Sequence, residues 1–127
     1  MTRLFYKVKR ESKLAGEFMD CAVIAVAIAT GLPYKEVHKE FTKAGRKPRR
    51  RTKNTITLAV LESLGYKLKE RTIKAKTVIT AERELKRGVY LIRVRGHILA
   101  CKAGEIHDWT KDRRHRIIEV NRVIKQR

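Results

Sequence analysis

The stretch Asp20-Cys21-Ala22-Val23-Ile24-Ala25-Val26-Ala27-Ile28-Ala29-Thr30-Gly31 carries no charge after its first residue. A helix repeats its faces every three or four residues, so a run this uniformly apolar leaves no side for water and predicts a helix buried all round. Asp20 offers an N-cap, and Gly31 the left-handed residue that ends a helix. Such a helix lies at the centre of a fold, and the rest of the chain must supply what covers it.

Outward from that helix, Pro33 favours the first turn of a second one, in which Tyr34, Val37, His38 and Phe41 share a face and which stops near Gly45. Residues 46–53 hold Arg46, Lys47, Arg49, Arg50, Arg51 and Lys53 with Pro48 and no apolar side chain, which predicts a solvated loop. Asn54 then offers an N-cap for a third helix over residues 55–64, with Ile56, Val60 and Leu64 on one stripe and Gly65 as its stop. A fourth, short helix is expected after Thr80, ending at Gly88.

From residue 89 the period changes. Tyr90, Ile92 and Val94 alternate with Val89, Leu91 and Arg93, Arg95-Gly96 interrupts, and residues 97–101 alternate again. Ala103-Gly104 is a tight connection to residues 105–109, a basic β-branched segment over 116–124 supplies another strand, and residues 66–73 an edge strand. Helices come first and antiparallel strands later, without βαβ alternation. The expected class is therefore α+β, with N-terminal helices packed on a C-terminal antiparallel sheet. A chain of 127 residues with 43% hydrophobic residues fits one domain over 1–127.

Cys21 opens the buried helix, where the helix dipole and free backbone N–H groups stabilise a thiolate. A thiol nucleophile also needs an imidazole and a group to orient it. His97, after Gly96 at a strand start, and Asp108, on the far side of the hairpin turning at Ala103-Gly104, can supply them. Taken singly, each has a plainer role: Cys21 as a small packing residue, His97 as a strand-edge histidine, Asp108 as a turn residue before Trp109. Cys101 reads as core and His38 as part of a packing face, while His107 points to the other side of its strand and His115 lies in a basic run. Cys101, His107 and His115 lack the short paired spacings of a zinc site, and there is no glycine-rich phosphate loop, so neither metal nor cofactor is expected.

Cysteine on a buried helix, histidine at a strand start after glycine, and aspartate on the neighbouring strand resemble, in that order, the papain-like cysteine peptidase superfamily. The likeness lies nearest the compact peptidase domains that process bacteriocin leaders and the transglutaminase-like core, in a small phage or bacterial member. Asp20-Cys21 with residues 25–31, and Asp108-Trp109, carry the likeness over roughly residues 15–110. It implies a papain-like fold with Cys21 as nucleophile, His97 as general base and acid, and Asp108 as the group that holds the ring, acting in amide or ester cleavage or transfer. Relatives place Gln or Asn a few residues before the cysteine to bind the oxyanion. Here Ala15-Gly16-Glu17-Phe18-Met19-Asp20 offers neither, which implies a weakened site or a degenerate copy.

Thirty-two Lys and Arg against 13 Asp and Glu give a net charge of +19, more than solubility requires of so small a domain. The charge points to an anionic partner, nucleic acid or an acidic protein, and to assembly into a larger complex. Its strongest clusters are residues 46–53 and the C-terminal run 111–127, which includes Arg113, Arg114 and Arg116. A second class of function follows, a basic nucleic-acid-associated or virion protein that keeps the fold as a scaffold. No apolar run approaches the ~20 residues of a membrane span. The first ten residues have no apolar segment behind their cations and do not read as a secretory signal, so a cytoplasmic or virion location is expected.

Overall fold

The computed structural model describes residues 1–126, and Arg127, the last cation of the C-terminal run, lies outside the described residues. The chain opens with a helix that its composition hides, α1 (Arg3–Leu14), whose first N–H groups are capped by Thr2 Oγ1 accepting from Phe5 N at 3.2 Å. Only Phe5, Val8 and Ser12 of α1 are buried, and they lie on one face against α2 (Cys21–Thr30). In α2 every residue from Ala22 to Ala29 is buried, as the uniform apolar run requires, and the helix ends on Gly31 with φ 74°.

Pro33 stands just before α3 (Tyr34–Lys43), which buries Tyr34, Val37 and Phe41, while His38 is half-exposed. Helix α4 (Asn54–Ser63) starts on Asn54, the residue expected to cap it, and Lys53 stands at the cap position instead. The helix buries Thr57, Val60 and Leu61, so the inward stripe is rotated from the Ile56, Val60, Leu64 pattern. The helix expected over residues 80–88 is a single turn, α5 (Val78–Ala81). The chain reaches Gly88 through turns that bury Leu85.

The strands are β1 (Tyr66–Glu70), β2 (Val89–Val94), β3 (His97–Lys102), β4 (Glu105–His107) and β5 (Ile117–Lys125), paired antiparallel in the order β1-β5-β2-β3-β4. At the β3–β4 turn, Ala103 and Gly104 both have positive φ, 52° and 83°, as a two-residue hairpin with the sheet's twist demands. The protein is thus α+β, with helices packed on an antiparallel sheet. Helix α2 lies against the sheet, so that Leu91, Ala100 and Val123 join its core. The opposite face carries Tyr90, Ile92, Leu99, Cys101 and Ile106, covered by Val78, Ala81 and Leu85. Both faces being covered, β2 and β3 are apolar on successive residues rather than on alternate ones. Among the described residues no helix is long and apolar enough to cross a membrane.

Candidate active site

Cys21 is the first residue of α2, and its placement depends on the residue before it. The Asp20 side chain does not cap the helix. Asp20 is 1% exposed, and its Oδ2 instead accepts hydrogen bonds from Ser12 Oγ at 2.6 Å and Tyr34 OH at 2.7 Å, tying the start of α2 to both α1 and α3. Burial and the adjoining Asp20 carboxylate push the Tyr34 phenol well above its usual range, which keeps it a donor. With no side-chain cap, the first-turn N–H groups of α2 remain for whatever binds beside Cys21. Met19 reaches this corner with φ 56°, an uncommon left-handed conformation for a non-glycine residue.

His97 begins β3 at the sheet end nearest Cys21. Cys101 pairs with Ile106, so Leu99 would face residue 108, and His97 is its diagonal neighbour on the same side. The Nε2–H of His97 donates to Asp108 Oδ2 at 2.8 Å. That leaves Nδ1 for the Cys21 thiol, which lines the same cleft and whose ionisation the ring influences. Asp108 lies one residue beyond the end of β4, not on the strand as expected. It is held there by its own turn, since Oδ2 also accepts from Thr110 N at 3.1 Å and Thr110 Oγ1 at 2.6 Å. With the carboxylate 3% exposed and three donors on one oxygen, the ring has a single favoured orientation.

The electrostatics follow from this geometry. Burial by itself would raise the Cys21 thiol. The hydrogen bonds from His97 and from the Ile98 backbone, with the imidazolium charge, outweigh burial and a smaller opposing effect of Asp108, and hold it below the usual 9.0. Burial would likewise lower His97, but its hydrogen bonds to Asp108 and Cys21 and the charges behind them raise it from 6.5 to about 9. The two shifts act together, both favouring a thiolate beside an imidazolium, the form competent for nucleophilic attack. Cys101 is the opposite case, fully buried and pushed up to about 12 chiefly by burial.

Of the other histidines, His107 turns to the helical face, its Nδ1 2.6 Å from Thr2 Oγ1, and His38 pairs with Glu17 at 2.6 Å. His115 meets the Trp109 ring edge-on at 5.2 Å. Among the described residues no group of three or more His, Cys, Asp and Glu side chains converges as a metal ion would need.

The basic loop is not uniformly solvated, and Arg46 is the correction. It is 4% exposed, and its Nη1 and Nη2 donate to the two oxygens of buried Glu17 at 3.1 Å each. Glu17 also accepts from the Arg49 backbone N–H at 2.8 Å, so this carboxylate pins the loop from inside. The side chains of Lys47, Arg49, Arg50, Arg51 and Lys53 remain exposed, as do Arg113, Arg114 and Arg116. Arg113 lies over Trp109 at 5.7 Å, and Arg51 reaches the cleft at Cys21. The cleft also takes Phe5, Lys9 and Met19, which composition alone did not single out; the spacing of Phe5 and Val8 behind Thr2 was the available signal for the helix that brings two of them.

No protein-family model matches the chain, and neither the curated proteins nor the solved structures provide a match.

Proposed function

We propose that the protein is a cysteine peptidase-like thiol acyl hydrolase or transferase of the papain-like kind, with Cys21 as nucleophile, His97 as acid and base, and Asp108 as the group orienting the ring. The observation that carries this reading is the cleft shared by Cys21, at the start of a buried helix, His97 and Asp108, in which the imidazole is bonded to the carboxylate at 2.8 Å.

In that chemistry the Cys21 thiolate attacks a carbonyl carbon and the carbonyl electrons move to oxygen. The oxyanion lies at the N-terminus of α2, where the Cys21 N–H donates to it and no Gln or Asn side chain adds a second donor, which weakens the site. As the C–N bond breaks, the His97 imidazolium gives its proton to the leaving amine, and a thioester remains on Cys21. His97, now neutral, takes a proton from water or another acceptor nucleophile, which attacks the thioester and releases the acid or transfer product. The thiolate leaves against the re-formed imidazolium.

Iodoacetamide tests this reading through the thiolate itself. Cys21 is expected to be alkylated at neutral pH much faster than Cys101, with His97→Ala removing the difference. Equally slow labelling of both cysteines would count against it.

A second reading, compatible with the first, rests on the exposed side chains of Lys47, Arg49, Arg50 and Lys53, which have no acidic partner among the described residues. A cluster of this kind supports sequence-tolerant binding to nucleic-acid phosphates. Affinity for random DNA or RNA should fall steeply with salt, and less steeply once these four are changed to Gln. A flat salt dependence removes this reading.

A further inference from the structure

We propose that the cleft running from Cys21 toward Thr52 and Arg93 is an anion-recognition subsite that holds a carboxylate side chain of a polypeptide, so that the site selects acidic peptide substrates. The proposal rests on the acyl-transfer reading of Cys21, His97 and Asp108, and adds to it the class of substrate.

Two clefts of about 220 Å³ each meet at Cys21, Arg51, Gly96 and His97, so a chain lying through both would pass over the sulfur. They differ in chemistry. The first is floored by Phe5, Met19, Ile24 and Trp109 and suits an apolar side chain, while Thr52, Asn54, Thr57 and Arg93 line the second. Among the described residues no carboxylate lines the second cleft, although two cations do.

The hydrogen bonding of that second cleft is incomplete. Thr52 Oγ1 and Arg93 Nε are buried and have no hydrogen-bond partner. The tip of Arg93 comes only to 3.7 Å from Glu119, too long for a hydrogen bond, so that carboxylate does not satisfy the guanidinium, which lines the cleft. The pairing of β2 with β5 shifts register at this point, between Arg93 and Val94, the kind of irregularity that re-aims a side chain beside a site. Arg51 has no ion-pair partner among the described residues, and it packs so closely on the hairpin that a Cβ at Gly96 would meet its Nη1 at 3.4 Å.

Buried donors without acceptors call for a ligand that brings acceptors. An Nε–H beside an Nη–H is the edge on which a planar carboxylate binds through both its oxygens, and Thr52 adds a hydroxyl donor. A peptide fits better than a nucleic acid, because this cleft shares Cys21 and His97 with the reacting centre and a phosphodiester presents no acyl carbon to a thiolate. The neighbouring apolar cleft would take a second side chain of the same peptide.

Binding to Cys21→Ala protein tests the subsite without depending on turnover. The probes are fluorescein-labelled octapeptides of Gly and Ser with Leu and Glu on either side of a central Gly, in both orders, and the same peptides with Gln for Glu. At least one Glu peptide is expected to bind about tenfold tighter than its Gln counterpart. Arg51→Gln and Arg93→Gln should each remove most of that preference, and Arg93→Lys, which keeps the charge and loses the fork, should keep only part of it. Lys67→Gln with Lys69→Gln, two exposed cations of the edge strand β1, should leave it unchanged.

Equal binding of Glu and Gln peptides overturns the proposal. So does a preference that survives Arg51→Gln and Arg93→Gln but falls with Lys67→Gln and Lys69→Gln, since overall charge would then be responsible. Binding of a random decanucleotide tighter than the Glu peptides, and lost with Arg51→Gln and Arg93→Gln, would assign the cleft to nucleic acid and also overturn it. Slow alkylation of Cys21 in the native protein would sink the catalytic reading instead, and this binding measurement would still stand.

Discussion

Trp109, the only tryptophan of the chain, lies against the imidazole of His97, with ring centroids 5.1 Å apart and planes at 45°. It screens from water one side of the ring whose Nε2–H is bonded to Asp108. The contact also makes the indole a reporter of the histidine's charge, because an imidazolium in contact quenches indole emission and neutral imidazole quenches it far less. Emission of Trp109 is expected to rise as pH is raised through about 9, where His97 loses its proton, and His97→Gln should abolish that step. Running the titration in a His115→Gln background removes the second ring in contact with the indole.

Turnover and alkylation should separate with pH. Alkylation needs only the thiolate, so it should level off once Cys21, held below its usual 9.0, has ionised. Hydrolysis also needs the imidazolium to protonate the leaving group, so a peptide or ester substrate should show a rate that falls as His97 deprotonates near 9. The two limbs belong to the coupled pair rather than to either residue alone. Stability carries the same sign. With its folded value above 6.5, His97 stabilises the protein fully below pH 6.5, and that contribution is lost as pH rises through about 9. Urea midpoints at pH 6 and pH 10, compared between wild type and His97→Gln, read it directly.

Asp108→Ala takes away the ring's acceptor and its main charge partner. His97 is then expected to titrate lower, the Cys21 thiolate to lose its counter-ion, and alkylation at neutral pH to slow. Any acyl-transfer rate should drop by roughly a hundredfold to ten-thousandfold. Asp108→Asn keeps an acceptor for Thr110 and His97 while removing the charge, and should fall between the two. The His97 Cε1–H resonance followed against pH distinguishes a lost charge from a collapsed turn, because only the first shifts the midpoint while leaving the rest of the spectrum intact.

The placement of Cys21, His97 and Asp108 was more legible in the sequence than that of their surroundings, for physical reasons that particular residues show. The burial of α2, the position of Cys21 at its start and the β3–β4 hairpin are local patterns, and turn residues with a known register bring His97 and Asp108 close. Helix α1 was concealed because its inward face is only Phe5, Val8 and the polar Ser12 among many cations, and its cap, Thr2, is a single residue. Asp20 has the chemistry of an N-cap, but Ser12 and Tyr34 claim its carboxylate, and neither is a neighbour in sequence. Arg46 misleads in the same way. Its loop has the composition of a solvated segment, while its partner Glu17 lies far back along the chain. Where a side chain's role is set by a distant partner, local composition gives the wrong environment for it.

That pair supports the last prediction. Glu17 and Arg46 have side chains 3% and 1% exposed, and the carboxylate also accepts from the Arg49 backbone and contacts His38. Removing one member leaves an uncompensated buried charge, so Glu17→Ala and Arg46→Ala should each cost about 3–5 kcal/mol in urea unfolding. Paired hydrophobic replacements at the two positions should recover much of the loss. Burial alone would raise the Glu17 carboxyl, but its bonds to Arg46, His38 and the Arg49 N–H outweigh this and lower it from 4.5 to about 2. Its stabilisation is therefore fully present above pH 4.5 and disappears as pH falls through about 2. Acid unfolding of wild type should steepen across that window, and Glu17→Gln should flatten it. A wild-type curve that Glu17→Gln leaves unaltered would mean that the carboxylate does not hold the basic loop in solution. Arg46→Gln should meanwhile lower stability with little change in the salt dependence of nucleic-acid binding, the reverse of what neutralising Lys47, Arg49, Arg50 and Lys53 is expected to do.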